Sequence, residues 1–172
     1  DNFKKSIKID SNNSETHNNL GIAYKKIKKY EESIDCFKKS INLNSNNPEA
    51  YINLGSSLRN IRELDEAIIN YNKAIELNPN SYEAYNNRGL TFKDLKNIDS
   101  ALSDYKDSLK IKPSADVFNN IANIYKNQNK LEKALENYEK ILTLDRDHVG
   151  ALGNVIHTRN KLCIWDDYEK NL

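Results

Sequence analysis

A period of 34 residues runs through the sequence, and no other feature constrains the fold so strongly. When the chain is shifted by 34 residues, Gly21, Gly55 and Gly89 align, and Ala122 follows 33 residues later. Four further positions recur in each unit: a large apolar or aromatic residue, a small residue, an aromatic ring, and a last position that we call the closing residue. These columns are Tyr24, Leu58, Phe92 and Tyr125; Ser33, Ala67, Ala101 and Ala134; Phe37, Tyr71, Tyr105 and Tyr138; and Ser40, Ala74, Ser108 and Ile141.

The spacings within each unit indicate pairs of helices. Residues of the columns lie three or four positions apart, which places them on one helix face. A glycine or alanine lets two helices approach closely, and the ring fills the space beside it. Short breaks ("IKKY", "IREL", "LKNI" and "NKL") separate two helices in each unit, and "LNPN" and "IKP" end the second helix because proline cannot continue it.

These columns resemble the tetratricopeptide repeat (TPR), and the match covers nearly the whole chain. The pattern is clearest in Tyr51, Leu54, Gly55, Leu58, Ala67, Tyr71, Ala74 and Pro79. The resemblance implies an all-α, right-handed TPR superhelix (an α-solenoid) of antiparallel helix pairs, with a concave groove lined by the first helices. The expected units are 14–47, 48–81, 82–114, 115–148 and a partial unit with a junction or cap at 149–172; residues 1–13 match the second helix of a truncated repeat, with Phe3 in the ring column and Ile9 in the closing column.

Composition limits the partners and the compartment. Lysine plus arginine number 26 and aspartate plus glutamate 25, so no global charge favours nucleic acid or an anionic membrane. The two cysteines are too few for a disulfide framework, which favours a reducing compartment. We expect no signal peptide, and no apolar run in the sequence approaches the roughly 18 residues that span a membrane. We expect a cytoplasmic protein, or a nucleocytoplasmic one in a eukaryote.

One column is asparagine in every unit. It comprises Asn19, Asn53, Asn87, Asn120 and Asn154. Asparagine makes up 27 of the 172 residues. The probability that five asparagines occupy a given column by chance is therefore about 10⁻⁴, and the probability that this happens in any of the 34 columns is a few per thousand. Alternatively, the amides cap or brace neighbouring helices.

The favoured interpretation of this column is peptide binding. An amide oxygen accepts from a backbone N–H and the amide NH₂ donates to a backbone C=O, so a row of amides can hold an extended peptide by its main chain. Packed helices lie about 8–10 Å apart and an extended chain rises about 3.3–3.6 Å per residue. Each asparagine therefore meets roughly every third peptide residue, and five hold roughly a dozen.

An acidic column precedes the asparagine column by four residues, on the same helix face. Its members are Glu15, Glu49, Glu83 and Asp116, and Gly150 interrupts it in the last unit. Acids in a first helical turn stabilise the helix dipole; equally, these acids select basic or hydroxyl side chains in a bound peptide. A basic column, Lys25, Arg59, Lys93 and Lys126, is interpreted as a solvated face, and the mixed column that holds Asn18 and Ile52 as a consequence of composition.

The C-terminal sequence "GNVIHTRNKLCIWDDYEKNL" departs from the repeat. It resembles the junction between TPR superhelix and catalytic domain in O-linked N-acetylglucosamine transferases. The matching residues are Asn154, His157, Cys163, Trp165, Asp167 and Tyr168. That family carries an asparagine ladder that binds substrate backbone, and an aspartate row one turn before it. The resemblance implies that the asparagine column is this ladder and that a glycosyltransferase domain follows Leu172; related O-fucosyltransferases share the layout, and Trp165 as a simple end cap is the alternative.

Three hypotheses follow for function. The chain is the substrate-recognition arm of a protein O-glycosyltransferase, a generic TPR scaffold for extended protein or peptide partners, or a self-associating module. The column before the ladder contains no lysine, which argues against the TPR variant that grips a C-terminal carboxylate. No catalytic residue, metal site or cofactor site is expected, because His17, His148 and His157 show neither metal spacing nor a nucleophile partner.

Overall fold

The structure, a computed structural model, describes residues 13–162, and this part of the chain is all-α. It contains nine helices and no strand. They are α1 (Ser14–Lys26), α2 (Tyr30–Leu43), α3 (Pro48–Asn60), α4 (Leu64–Leu77), α5 (Tyr82–Asp94), α6 (Ile98–Ile111), α7 (Ala115–Asn127), α8 (Leu131–Leu144) and α9 (Val149–Leu162). The predicted fold class, an all-α assembly of repeated helix pairs, is confirmed.

Local sequence explains where the helices begin. The side chains of Asn13, Asn47 and Ser81 accept hydrogen bonds from backbone N–H groups in the first turns of α1, α3 and α5. Pro48 occupies the first turn of α3, where its missing N–H costs no helical bond. Asparagine therefore has a clear structural role at the helix starts, and this role does not extend to the asparagine column, which lies inside the helices.

The turns within the pairs share an unusual backbone conformation. Lys28, Arg62, Lys96 and Asn129 each have φ between 57° and 70°, the left-handed region. Each residue follows the first helix of its pair and lies in a break that the sequence predicts. The four turns are thus copies of one geometry, as expected from the period of the sequence.

The chain divides into two compact units, Asp1–Ile111 and Lys112–Leu172. In the first unit, α1/α2, α3/α4 and α5/α6 are paired, and neighbouring pairs contact through α2–α3 and α4–α5. The first helices also contact one another, α1 with α3 and α3 with α5. We call the surface of α1, α3 and α5 that carries Lys25, Glu49, Asn53 and Glu83 the first-helix face.

The core of the first unit consists of the predicted glycine–ring contacts. A Cβ built on Gly21 would lie 2.5 Å from the ring of Phe37, and one on Gly55 would lie 2.8 Å from that of Tyr71. Phe37 and Tyr71 are fully buried with Leu54, Leu58 and Ala67 around them. The small residue in each first helix is therefore required by the ring of the second helix.

The second unit has its own core, formed by α7, α8 and α9. Ala122 takes the glycine position beside the fully buried Tyr138, and Ile141, Ala151 and Val155 complete the cluster. The hydroxyl of Tyr138 donates to Asn123 Oδ1 at 2.9 Å.

Two sequence predictions lie outside the described residues. One is the second helix at 1–13 with Phe3 and Ile9, of which only Asn13 is described. The other is the junction sequence with Cys163, Trp165, Asp167 and Tyr168.

Candidate functional site

The asparagine column lies inside the first helices α1, α3, α5, α7 and α9. Asn19, Asn87, Asn120 and Asn154 are half-buried, while Asn53 is only 9% exposed. Within residues 13–162, the side-chain amides of the four half-buried asparagines form no hydrogen bond with another residue, and Asn53 is the exception. An amide that is partly exposed and unpaired keeps both its donor and its acceptor for a ligand or water.

Asn53 differs because a lysine from the preceding pair reaches it. The Nζ atom of Lys25 at the end of α1 donates to Asn53 Oδ1 in α3 at 2.8 Å. Burial lowers the pKa of Lys25 from its ordinary value, although the carboxylates of Glu49 and Glu83 act in the opposite direction. Lys25, Asn53 and the two acids are therefore brought together on the first-helix face, from three different helices.

The interpretation of the basic column as a solvated face is wrong for Lys25 and Arg59, and Lys93 and Lys126 are half-buried as well. Lys25 is half-buried and bound to Asn53. Arg59 forms a salt bridge with Asp94, with 2.7 Å between Nε and Oδ2, and both side chains are less than one-third exposed. The period identified this column correctly, but it contains no information on how far a long side chain reaches into the next pair.

The four members of the acidic column are exposed and each lies in the first turn of its helix. All four therefore satisfy the helix-dipole interpretation. Glu49 and Glu83 have a second interaction, since they attract the Lys25 ammonium. The structure thus distinguishes these two from Glu15 and Asp116.

Asn18, which composition seemed to explain, is more buried than Asn19, its neighbour in the asparagine column. It is 5% exposed, and its Oδ1 atom is buried without a hydrogen-bond partner among residues 13–162. The Oδ1 atom of Asn86, which occupies the same column in α5, is also buried and has no hydrogen-bond partner in the described part of the chain. The sequence analysis missed these two unpaired amide oxygens, and the signal for them was that asparagine recurs in this column at Asn18, Asn86 and Asn119.

The second unit carries the remaining predicted residues on α7 and α9. Asp116 is exposed in the first turn of α7, and Asn120 follows one turn later. The Nδ1 atom of His148 accepts from the backbone N–H of Ala151, which gives this histidine a capping role. His157 is exposed on α9.

Neither a metal site nor a membrane span is found in the part of the chain that the structure describes. Residues 13–162 contain no group of three or more histidine, cysteine or acidic side chains that could hold a metal ion. None of the described helices has the length and apolar character needed to cross a bilayer.

Comparison with family models gives one consistent result along the chain. Models described as tetratricopeptide repeat match residues 14–47, 36–69, 82–114 and 115–148, and a model described as TPR repeat matches residues 63–96. A search of curated proteins gave no match.

Solved structures with the same arrangement of helices include three that cover most of this chain. MamA is 28% identical with a TM-score of 0.74, covering 95% of this chain and 88% of its own. YrrB, described as a TPR protein with an unusual peptide-binding site, is 28% identical with a TM-score of 0.70 and coverages of 88% and 78%. PilF of Pseudomonas aeruginosa is 18% identical with a TM-score of 0.82, covering 98% and 77%, and this likeness concerns the fold alone.

Proposed function

The chain belongs to the tetratricopeptide repeat family of protein-interaction scaffolds, and we propose that it binds extended peptides by their main chain through its asparagine column. The amides of Asn19, Asn53, Asn87, Asn120 and Asn154 are the binding groups, with Glu49, Glu83 and Asp116 beside them. No catalytic step is assigned to these residues.

The observation that carries the proposal is the unpaired state of the column. An amide that braces neighbouring helices must form hydrogen bonds to them, yet four of the five amides form none within the described residues. Asparagine is also a poor choice inside a helix, because its short side chain competes for backbone groups. A peptide main chain supplies alternating donors and acceptors, and these complement an amide on both of its sides.

The similarity to YrrB supports the same class of partner. YrrB is described as having an unusual peptide-binding site, and it is 28% identical to this chain over most of its length. A protein of this fold that is 28% identical to this chain is therefore described as having a peptide-binding site.

A triple substitution tests the proposal. Asn19→Ala, Asn87→Ala and Asn120→Ala remove three unpaired amides, and the affinity for a panel of unrelated 12-residue peptides should fall about tenfold or more for every peptide that binds. Fluorescence anisotropy measures the affinity, and circular dichroism confirms that helicity is retained. The control is Asn42→Ala with Asn160→Ala, two exposed helical asparagines outside the column. Equal affinities of the triple variant and the wild type would reject main-chain binding by the column.

The assignment to a protein O-glycosyltransferase stays a prediction from sequence. Its motif at 163–168 lies outside the described residues, and the generic scaffold is the alternative. The coding sequence downstream of Leu172 tests it, since a glycosyltransferase domain there is expected on the first hypothesis and not on the second.

A further inference from the structure

The first-helix face contains a site for a positive charge, and a residue of the chain itself occupies it. The Lys25 ammonium donates to Asn53 Oδ1 at 2.8 Å, and Asn53 is nine-tenths buried. Glu49 lies one helical turn before Asn53 on α3, and the carboxylates of Glu49 and of Glu83 on α5 act to raise the pKa of the same ammonium. We call Asn53, Glu49 and Glu83 the cation subsite.

Lys25 fills this subsite incompletely. No salt bridge joins Lys25 to either carboxylate within the described part of the chain, and both acids are exposed at the surface. Glu83 accepts one hydrogen bond, from Tyr82 at 3.1 Å. The two carboxylates therefore retain acceptor positions that a second cation could reach from solvent.

Burial of Lys25 also has a cost that its partners offset only in part. An ammonium that leaves water loses hydration, and burial accordingly lowers the pKa of Lys25 while the two acids act to raise it. If Lys25 moves into solvent, the hydration that it regains offsets the hydration that an incoming cation loses, so the exchange requires little net free energy. Within residues 13–162, Asn53 is also the one member of the asparagine column whose amide oxygen accepts a hydrogen bond.

We propose that the cation subsite takes a lysine or arginine side chain of a bound peptide, which replaces the Lys25 ammonium at Asn53. This inference rests on the proposed function, because the peptide main chain must lie along the asparagine column to present that side chain. It makes Lys25 an internal competitor that lowers the preference for basic peptides, and Glu49 and Glu83 the residues that create the preference.

A phage-displayed library of random 12-residue peptides, selected on the full 172-residue chain, tests the inference. Lys25→Met keeps the aliphatic stem and removes the charge, and it should raise the lysine and arginine content of recovered peptides roughly two- to fivefold over wild type. Glu49→Gln with Glu83→Gln should abolish any basic enrichment. Lys93→Met is the matched control, since Lys93 occupies the same column in α5 and forms no bond to a ladder asparagine within the described residues; it should leave the enrichment as in wild type.

The outcomes separate the two proposals. If Lys25→Met recovers peptides whose lysine and arginine content is no higher than that of the wild-type selection, the inference is overturned and main-chain binding is left intact. A loss of binding in Lys25→Met also overturns it, because Lys25 would then be a ligand for the peptide. If neither the wild type nor Lys25→Met recovers peptides above background, the proposed function and this inference are rejected together. Circular dichroism of each variant confirms folding before selection.

Discussion

At the scale of single residues, the third helix pair contains an ion pair where the other pairs have uncharged side chains. The column of Leu20, Leu54 and Ile121 carries Arg88 in α5, and the column of Cys36, Asn70 and Asn137 carries Asp104 in α6. Arg88 Nε and Nη2 donate to the two carboxylate oxygens of Asp104 at 2.8 and 2.7 Å. This hydrogen bonding raises the pKa of Arg88, and Asp104 is only 4% exposed.

We expect the two residues of this ion pair to be strongly coupled. Asp104→Asn leaves a mostly buried guanidinium without its counter-charge and should reduce the free energy of unfolding by about 3 kcal/mol. The double variant Arg88→Leu, Asp104→Asn introduces the residue types of the preceding pair and should recover most of that loss. In α4, the equivalent Asn70 is satisfied by donating to Glu66 O at 2.8 Å, and the new asparagine can do the same one turn back.

Urea denaturation followed by circular dichroism measures both variants against wild type. If the double variant is no more stable than Asp104→Asn, the unpaired guanidinium of Arg88 does not destabilise the fold.

Residue-scale features were only partly predictable from the sequence. The period placed the asparagine column correctly within the helices, because a helix fixes which residues share a face. It could not predict the Lys25–Asn53 bond, since the reach of a flexible side chain depends on the distance between two pairs. The Arg88–Asp104 pair did leave a signal: two columns change from uncharged to charged in the same unit, with opposite signs.

At the scale of helices, the sequence predicted most of the structure. The breaks "IKKY", "IREL" and "LKNI" do separate the helices, and Pro79 and Pro113 follow the ends of α4 and α6. These signals are local, and the backbone geometry that they require is local too. The glycine column was also interpreted correctly, because Gly21, Gly55 and Gly89 each contact the ring of the second helix in their pair.

Two glycines in first helices should respond in opposite directions to alanine. Gly21→Ala places a Cβ 2.5 Å from the Phe37 ring, inside a filled core, and should destabilise by about 1–3 kcal/mol. Gly153→Ala in α9 meets no atom of residues 13–162 within 4 Å and should stabilise the fold by about 0.5–1 kcal/mol, because glycine is unfavourable inside a helix. Thermal unfolding measured by circular dichroism gives both shifts. A stabilised Gly21→Ala variant would show that the ring moves away without loss of packing.

At the scale of the whole molecule, the period of the sequence determines the class of fold but says little about the partner. Helix pairs of this kind form from contacts close in sequence, so each unit can be inferred from its own residues. Partner choice depends on side chains that do not contribute to packing, and on how charges from several helices combine. In the proposed cation subsite, each of Glu49 and Glu83 taken alone is indistinguishable from a helix-dipole residue.

The balance of charge over the molecule predicts weak binding to polyanions. Lysine plus arginine exceed aspartate plus glutamate by one, and binding to nucleic acid or heparin requires a surplus of basic side chains in one region. The chain should therefore elute from a heparin column below about 0.2 M NaCl. The control variant Glu49→Lys, Glu83→Lys raises the net charge by four and concentrates it on the first-helix face, so it should elute at higher salt. Wild-type protein that elutes together with this variant, at about 0.5 M NaCl or more, would contradict the exclusion of polyanionic partners and point to a basic surface that the net charge conceals.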